Sequence, residues 1–444
     1  MSAAARPALA LALATLAGPG AASAQGAGLS GSAELAPFFR ALDEAKAGKR
    51  ARPVHVLQLG DSHSAADHIT GALRARLQSR FGEGGRGVLP PGRPFAMYNP
   101  RQVDVAQSDG WRLEASFLPA SWAKTYKPGD PEMRPGPYGL AGWRLVATRP
   151  GVTVTVKADP EARFDRAVVC AVAGPRSGAL KVGLGADSRA MPLDAATRQP
   201  VCRSFPVAAG QTRLELTAEG EGATVLSLGL FRSGGVALSN LGVIGTKLSD
   251  FAARDDRTLA AELAAYQPDL IVLAFGTNDG FEPEVDAAAY EALVRRQIAR
   301  LKRLAPGAAV LLLGAPDAQT IRPDIPMDGE HNKDFGCEPL SAEESRSYAR
   351  LVAEKSPRLA RWYAPPNLAV VRSSQRKAAA AEGVAFWDWQ ARMGGDCSAH
   401  RMTKADPRQV RGDHIHFTSD GAEYIADLLW RDLQDAHTAW RGGA

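Results

Sequence analysis

Short apolar runs that alternate with helical repeats place the strongest constraint on the fold of this chain. The run Val54–Leu59 is typical of a buried strand. After it, apolar residues recur at every fourth position from Ile69 to Phe81, which indicates a helix with one apolar face. Because strands that alternate with helices form parallel sheets, the pattern predicts a doubly wound α/β fold with helices on both faces.

The same alternation returns in the C-terminal half. Further strands are predicted at Val236–Ile244, Leu270–Phe275, Val310–Leu313 and Val384–Trp387. Helices are predicted at Leu248–Tyr266, Ala287–Leu304 and Ala422–Gln434. Another helix is predicted to open at Ser341, because Glu344 three residues later completes a capping-box pattern. We therefore expect one α/β domain that is assembled from two separated parts of the chain.

A β-rich stretch separates these two parts. It is rich in Gly, Pro and Thr, and its segments alternate with period two or form short apolar runs: Gly151–Lys157, Ala167–Ala173, Thr212–Thr217 and Thr224–Phe231. This pattern predicts an inserted antiparallel β-sandwich, and an elaborated surface region of the same domain is the alternative. The predicted boundaries are 25–97 and 236–444 for the α/β domain and 98–235 for the insertion.

The N-terminus predicts export. Arg6 precedes the apolar stretch Ala8–Ala17, and Ala22-Ser23-Ala24 is typical of the end of a signal peptide. Residues 1–24 are therefore expected to be removed, and the mature protein is expected to be periplasmic or secreted. Export favours disulfides among the four cysteines. Pairing of Cys170 with Cys202 and of Cys337 with Cys397 is the simplest of the three connectivities.

Composition argues against several classes of protein. The net charge is +5, but the basic residues are scattered, which disfavours nucleic-acid binding. No apolar run reaches the ~20 residues that span a bilayer, so stable membrane insertion is not expected. The absence of a C-x-x-C motif disfavours a zinc or redox motif, and we expect no metal or cofactor. The oligomeric state is left open.

Four short motifs follow the predicted strands or precede the last helix. They are Gly60-Asp61-Ser62-His63, Gly242–Thr246, Gly276-Thr277-Asn278-Asp279 and Asp413-His414-Ile415-His416. Residues just beyond the carboxyl ends of parallel strands meet at one edge of the sheet. A serine hydroxyl becomes nucleophilic when a neighbouring imidazole accepts its proton. We therefore predict Ser62 as nucleophile, His416 as base and Asp413 as the group that orients His416.

A tetrahedral oxyanion needs hydrogen-bond donors, each typically worth about 3 kcal/mol. We predict the N–H of Ser62, the N–H of Gly245 and the side-chain amide of Asn278 as these donors, with Asp61 and Asp279 in support. The alternative is that Asp61 and Ser62 cap a helix, that Asn278 and Asp279 form a turn and that Gly245 ends a strand. The remaining histidines are predicted to be structural or superficial: His55, His63, His68, His331, His400, His414 and His437.

Taken together and in this order, the motifs resemble the four sequence blocks of the SGNH/GDSL hydrolases. Within that family the chain resembles peptidoglycan O-acetylesterases that carry a carbohydrate-binding-like β-domain between the first two blocks, and Phe81–Gly87 and Ala385–Gly395 are similar to segments of that subgroup. The resemblance implies a three-layer α/β/α, flavodoxin-like fold and hydrolysis of acetyl esters on muramic acid. Thr246-Lys247 departs from the small residue that the family more often has there, and we expect it to reshape the substrate entrance.

Other functions remain open. A polysaccharide O-acetyltransferase would use the same acyl-enzyme on Ser62. A two-metal phosphoesterase is indicated by Asp61-x-His63 and Gly412-x-His414-x-His416, but the Gly-Asn-His of that class is missing. A non-catalytic polysaccharide-binding protein would use the insertion, whose candidates for stacking on sugars are Trp111, Trp122, Tyr126, Tyr138 and Trp143. For the esterase, acetylated xylan, cellulose and alginate are alternatives to peptidoglycan.

Overall fold

The computed structural model describes residues 28–119, 131–327, 331 and 333–443. The predicted signal peptide, residues 1–24, lies outside the described residues, and so do Trp122 and Tyr126. Within the described ranges, none of the helices combines the length and the apolar character needed to cross a bilayer.

The elements alternate between strands and helices at both ends of the chain. The strands are β1 (Leu29–Ser30), β2 (Val54–Gly60), β3 (Gly87–Leu89), β4 (Val103–Gln107), β5 (Trp111–Ala115), β6 (Glu132–Met133), β7 (Trp143–Ala147), β8 (Thr153–Ala158), β9 (Phe164–Ala173), β10 (Ala179–Leu184), β11 (Asp187–Pro192), β12 (Gln199–Gln211), β13 (Arg213–Ala218), β14 (Thr224–Phe231), β15 (Val236–Gly242), β16 (Leu270–Ala274), β17 (Ala309–Leu313) and β18 (Ala385–Trp387). The helices are α1 (Ala36–Lys46), α2 (Ser62–Ala65), α3 (His68–Phe81), α4 (Leu248–Ala252), α5 (Asp256–Tyr266), α6 (Thr277–Gly280), α7 (Ala287–Leu304), α8 (Ala342–Arg346), α9 (Tyr348–Ala353), α10 (Pro366–Glu382), α11 (Trp389–Met393), α12 (Ser398–Thr403) and α13 (Ser419–Gly442). Short 3-10 helices lie at Ser32–Leu35, Pro160–Ala162 and Pro357–Leu359.

The central sheet has the strand order β1-β18-β17-β16-β2-β15. Its neighbouring strands are parallel except for β1, which pairs antiparallel with β18. The strand order reverses next to β2, since β15 lies on one side of it and β16 to β18 follow on the other. This confirms the predicted doubly wound sheet and places its switch point at β2, where such folds bind ligands. The antiparallel edge strand β1 was not predicted.

Successive residues of the sheet strands pack on opposite faces. Val56 and Val272 belong to an apolar cluster that includes α1, α3 and α13. Their neighbours Leu57 and Leu273 belong to a second cluster with α5, α7 and α10. A strand that is buried on both faces carries apolar residues at successive positions, which explains the continuous runs in the sequence. The three-layer α/β/α arrangement is thus confirmed.

The stretch between β2 and β15 forms two antiparallel sheets. One has the order β11-β10-β13-β8-β4, and the other has the order β12-β9-β14-β7-β5-β6, with β3 also paired to β14. Within the second sheet, β5 and β6 are parallel. Both sheets contribute to one apolar interior, which is continuous with the α5, α7 and α10 face of the parallel sheet. The exact limits of the insertion stay a prediction, because β3 lies before residue 98 yet pairs with β14.

Cys170 and Cys202 face each other across β9 and β12 and form one of the two predicted disulfides. The disulfide joins neighbouring strands whose backbones are already hydrogen-bonded. It therefore fastens the edge strand β12 to the sheet.

Some helix limits differ from those predicted. The segment Leu248–Tyr266 forms two helices, because Asp255 accepts a hydrogen bond from the N–H of Thr258 and starts α5 anew. The last helix extends beyond Ala422–Gln434 in both directions, and Thr418 caps it. The capping box that was predicted to open a helix at Ser341 is confirmed.

The aromatic residues proposed to stack on sugars are largely internal. Trp143 and Tyr138 are 1% and 4% exposed, so the expectation that they offer a ring face to a glycan is wrong. Trp111 is half-buried, and its Nε1–H donates to the carbonyl of Thr153 at 3.0 Å. These side chains were misjudged because a period-two pattern does not distinguish the interior of a sandwich from its surface.

A buried carboxyl joins α5 to the insertion. Glu262 is fully buried and accepts hydrogen bonds from the Ser227 hydroxyl and the Leu140 N–H. Burial raises the pKa of Glu262 to about 7, against the opposing effects of these bonds and of the Arg254 charge. The folded protein therefore holds this proton more tightly than the unfolded chain does.

We predict that Glu262→Gln flattens the pH dependence of stability. Because the pKa of Glu262 is higher in the folded state, its contribution to stability is present below about pH 4.5 and declines as the pH rises through about 7. Between pH 5 and pH 8 the free energy of unfolding of the wild type should fall by roughly 2 kcal/mol more than that of the variant. Urea unfolding at both pH values measures this difference. The exposed Glu219→Gln is the control, and parallel curves for Glu262→Gln and wild type would contradict the prediction.

Candidate active site

Three strands of the parallel sheet end in register. Gly60 at the end of β2 pairs with Gly242 of β15 on one side and with Ala274 of β16 on the other. The segments that begin at Asp61, Val243 and Phe275 therefore leave the sheet at the same edge. This brings the first three motifs of the sequence together.

The turn after β2 presents Ser62. The Asp61 carboxylate accepts a hydrogen bond from the His63 N–H at 3.0 Å and caps α2, which begins at Ser62. A Cβ atom on Gly242 would lie 2.2 Å from the Ala65 nitrogen, so a glycine is required for α2 to rest against β15. Ser62 itself is half-buried, and its hydroxyl faces the loop that carries the fourth motif.

Ser62, His416 and Asp413 form a continuous hydrogen-bonded chain. The His416 Nε2 lies 3.0 Å from the Ser62 Oγ, and its Nδ1 lies 2.8 Å from the Asp413 Oδ2. Because an ionised carboxylate only accepts hydrogen bonds, Nδ1 carries the proton and Nε2 is left to accept from the serine. The arrangement matches the geometry needed to activate a serine hydroxyl.

The Asp413 carboxylate is held ionised. Burial opposes its charge, but the hydrogen bond and charge of His416 and the backbone N–H groups of Ile415 and His416 lower its pKa to about 2. Those two N–H groups donate to the Asp413 Oδ1 at 2.9 Å. The carboxylate therefore fixes both the tautomer of His416 and the conformation of its loop.

The loop of His416 is closed at its base and supported from behind. The N–H of Arg411 donates to the His416 carbonyl at 2.7 Å, and Val410 and Phe417 form an antiparallel bridge. Within this loop His414 adopts the left-handed conformation, with a φ of 58°. Its ring stacks on Trp362 with centroids 3.5 Å apart.

Cys337–Cys397, the second predicted disulfide, connects the two segments that contact His414. Cys337 forms a backbone bridge with Trp362, and Cys397 directly precedes α12, which carries His400. The His400 Nδ1 lies 3.0 Å from the His414 Nε2. The disulfide, Trp362, His400 and His414 therefore form a continuous support behind the catalytic candidates.

The second and third motifs meet beside α2. Gly245 has a φ of 77°, and the Asn278 side-chain amide donates to the Thr246 carbonyl at 3.0 Å. The Asp279 carboxylate accepts from the Leu248 N–H at 3.2 Å, which fixes the helix that follows the turn. Burial raises the pKa of Asp279 to about 7, and the charge of Asp61 adds to this. Gly245 and Asn278, the predicted oxyanion donors, thus belong to one hydrogen-bonded turn.

The departure at Thr246-Lys247 has a structural explanation. Thr246 is fully buried, and its hydroxyl donates to the Val243 carbonyl at 2.8 Å. It closes the turn from inside, so the expectation that it reshapes the entrance is wrong for Thr246. Lys247 is half-buried and pairs with Glu282.

His63 is a site residue whose contacts the sequence analysis missed. Its ring is buried between the Asp61 carboxylate and the Ile415 carbonyl, next to His416. The Asp61-x-His63 spacing was noted in the sequence only as a feature of the alternative two-metal phosphoesterase, and His63 itself was predicted to be structural or superficial. In the parts of the chain described here, no group of three or more His, Cys, Asp and Glu side chains is arranged to hold a metal ion.

Comparison with known proteins relates this geometry to a family. Residues 209–424, just under half of the chain, match the family described as GDSL-like Lipase/Acylhydrolase. This match indicates a carboxylic ester hydrolase. Ser62 precedes the matched range, and the parallel sheet brings it beside the matched motifs.

One solved structure shares the fold of this chain. A structure titled "Peptidoglycan O-acetylesterase in action, 5 min" is 22% identical, with a TM-score of 0.70 over 93% of this chain and 99% of that one. A putative GDSL-like lipase from Parabacteroides merdae is 17% identical, with a TM-score of 0.29 over 45% of this chain and 74% of that one. A family two carbohydrate esterase from Cellvibrio japonicus is 13% identical, with a TM-score of 0.27 over 76% of this chain and 98% of that one. No curated protein sequence matches the chain.

We predict that loss of the Cys337–Cys397 disulfide lowers both stability and activity. The two disulfides close loops of 60 and 32 residues. The chain-entropy estimate for loops of these sizes is about 4 kcal/mol each, so removal of either should lower Tm to a similar extent. Cys337→Ser/Cys397→Ser should also lower kcat, because Trp362 and His400 lose their common anchor. The matched control Cys170→Ser/Cys202→Ser should keep its kcat, and equal kcat values for the two double variants would contradict the prediction.

Proposed function

We propose that the chain is an exported serine esterase that removes O-acetyl groups from a cell-envelope polysaccharide, with peptidoglycan as its substrate. The observation that carries this proposal is the hydrogen-bonded chain from Ser62 through His416 to Asp413. Ser62 is half-buried at the edge of the sheet.

The proposed reaction has two steps. In the first, His416 accepts the proton of Ser62 as its oxygen attacks the acetyl carbonyl, and the negative oxygen is held by the N–H groups of Ser62 and Gly245 and by the amide of Asn278. The sugar oxygen then leaves with the proton from His416, and the acetyl group remains on Ser62. In the second step, His416 takes a proton from water as the water oxygen attacks the acetyl carbonyl. The bond between the acyl carbon and the Ser62 oxygen then breaks, His416 returns the proton to Ser62, and acetate is released.

Two observations and one sequence prediction support the choice of substrate and compartment. The protein with the similar fold, at a TM-score of 0.70, is named as a peptidoglycan O-acetylesterase, and the similarity extends over the inserted sheets as well as the parallel one. The predicted signal peptide, residues 1–24, would direct the chain out of the cytoplasm. Two disulfides agree with an oxidising compartment.

The substrate is tested by acetate release from a panel of O-acetylated polymers. We expect wild type to release acetate from O-acetylated peptidoglycan faster than from acetylated xylan, cellulose or alginate. Ser62→Ala should lose activity by at least about 10³-fold, because among the described residues no other hydroxyl is hydrogen-bonded to the His416 ring. Ser249→Ala, an exposed serine on α4, is the control and should retain full activity.

The same assay distinguishes the alternatives. Transfer of acetyl groups to a soluble sugar acceptor at the expense of acetate release would identify an acetyltransferase. Loss of activity with a chelator, together with full activity of Ser62→Ala, would indicate metal-dependent hydrolysis and overturn the proposal. Binding of polymer with no turnover by wild type would indicate a binding protein.

The role of Asp413 gives a separate prediction. In Asp413→Asn the amide donates to Nδ1 of His416, so Nε2 keeps the proton and no longer accepts from Ser62. We expect kcat to fall by about 10³-fold or more with little change in Tm. The control is Asp420→Asn in the first turn of α13, which should leave kcat unchanged. Activity of Asp413→Asn within tenfold of wild type would contradict the assigned role.

A further inference from the structure

His63 has no role in the proposed reaction. Its side chain is 3% exposed although it directly follows the half-buried Ser62. Its ring centroid lies 5.6 Å from that of His416. Trp389 and Phe417 pack against the same ring at 5.5 and 5.6 Å, so the imidazole has a single defined orientation.

Both ring nitrogens of His63 face acceptors. Nδ1 lies 3.2 Å from the Asp61 Oδ1, and Nε2 lies 3.0 Å from the Ile415 carbonyl oxygen. Since neither oxygen donates a hydrogen bond, both ring nitrogens donate, and His63 is an imidazolium paired with Asp61. Burial by itself lowers the pKa of His63, but the hydrogen bond and charge of Asp61, the Ile415 carbonyl and the charge of Asp413 together raise it above its usual value.

Ile415 connects His63 to the catalytic candidates Asp413 and His416. It lies between Asp413 and His416 in the chain, and its N–H donates to the Asp413 Oδ1 at 2.9 Å while its carbonyl accepts from His63. The two peptide groups that flank Ile415 are thus each fixed by a hydrogen bond. One bond is to Asp413 in the same loop, and the other is from His63 in the turn that carries the nucleophile.

We propose that His63 is a positioning residue that, through Asp61 and the Ile415 carbonyl, ties the turn of Ser62 to the loop of His416 and sets the distance between their side chains. The inference rests on the proposed function of Ser62 and His416. It assigns to the Asp61-x-His63 pair a role that is neither metal binding nor simple helix capping.

A charge effect distinguishes this role from packing alone. The ionisable groups that face His63 are Asp61 on its own turn and Asp413 and His416 on the facing loop, and the pair with Asp61 is neutral as a whole. Removing the imidazolium leaves the Asp61 carboxylate unbalanced near His416. That carboxylate favours the protonated form of His416, so the acid limb of the kcat/KM profile moves to higher pH.

The experiment measures hydrolysis of 4-nitrophenyl acetate and inactivation by a sulfonyl fluoride in the mature full-length protein. For His63→Gln we expect kcat and the inactivation rate to fall by about 10- to 100-fold, because small displacements of a catalytic pair cost this much. KM should stay within about twofold, and the acid limb should rise by about one pH unit. The half-buried His68→Gln at the start of α3 is the control and should match wild type.

The double variant Asp61→Asn/His63→Gln completes the test. It removes both charges, so the acid limb should return to its wild-type position while kcat stays low. The double variant can also be measured if His63→Gln alone fails to fold, because the double variant has no unpaired buried carboxylate at position 61. Wild-type kcat and acid limb in His63→Gln, or wild-type kcat in the double variant, would overturn the inference. Ser62→Ala is measured in the same assay to separate the two proposals. If Ser62→Ala is inactive, the proposed esterase function stands even when the inference about His63 is overturned. If Ser62→Ala is active, the proposed esterase function is refuted.

Discussion

The hydrogen bond between Ser62 and His416 joins residues that are 354 positions apart, and each side of it depends on a different part of the fold. The serine is fixed by the parallel sheet, because α2 starts at the end of β2 and fits closely over Gly242. The histidine lies on a loop outside the sheet, so its position has to come from side-chain contacts. The stack of Trp362 on His414 and the bond from His63 to the Ile415 carbonyl supply these contacts.

Buried charge around this bond is balanced locally. Asp61 pairs with His63 and Asp413 pairs with His416, and the pKa of the third carboxyl, Asp279, is raised to about 7 by burial and by the charge of Asp61. A cluster of three free carboxylates would repel the negative oxygen of an acyl-transfer intermediate. Pairing two of them with imidazoles and burying the third lets the same side chains organise the turns without opposing the chemistry.

Sequence periodicity predicted β2, α3 and α7, which are long enough to bury one or both faces over several residues or turns. Burial of a face requires apolar residues at regular positions, and this regular spacing is visible in the sequence. The order of the motifs predicted which residues meet at the edge of the sheet. The predictions that failed concern features that depend on local contacts, and such contacts leave no periodic pattern in the sequence. Two residues of β1 are too few for a pattern, Asp255 breaks a helix that looks continuous, and Trp143 has the same sequence signature whether it packs inward or outward. His63 was missed for a related reason, since its partner Ile415 is adjacent only after folding.

The insertion packs against the candidate active site as well as extending the chain. A Cβ atom on Gly245 would lie 2.8 Å from the Pro119 Cγ and 3.6 Å from the Phe117 Cε1, so the segment after β5 packs directly on the turn that carries a proposed oxyanion donor. The insertion also shares its apolar interior with one face of the parallel sheet, and Glu262 is hydrogen-bonded across that boundary. A movement of the antiparallel sheets would therefore disturb the position of Gly245. The packing of the insertion and the position of Gly245 are consequently coupled through the same interface, so substitutions in that interface should alter catalysis even where they touch no substrate.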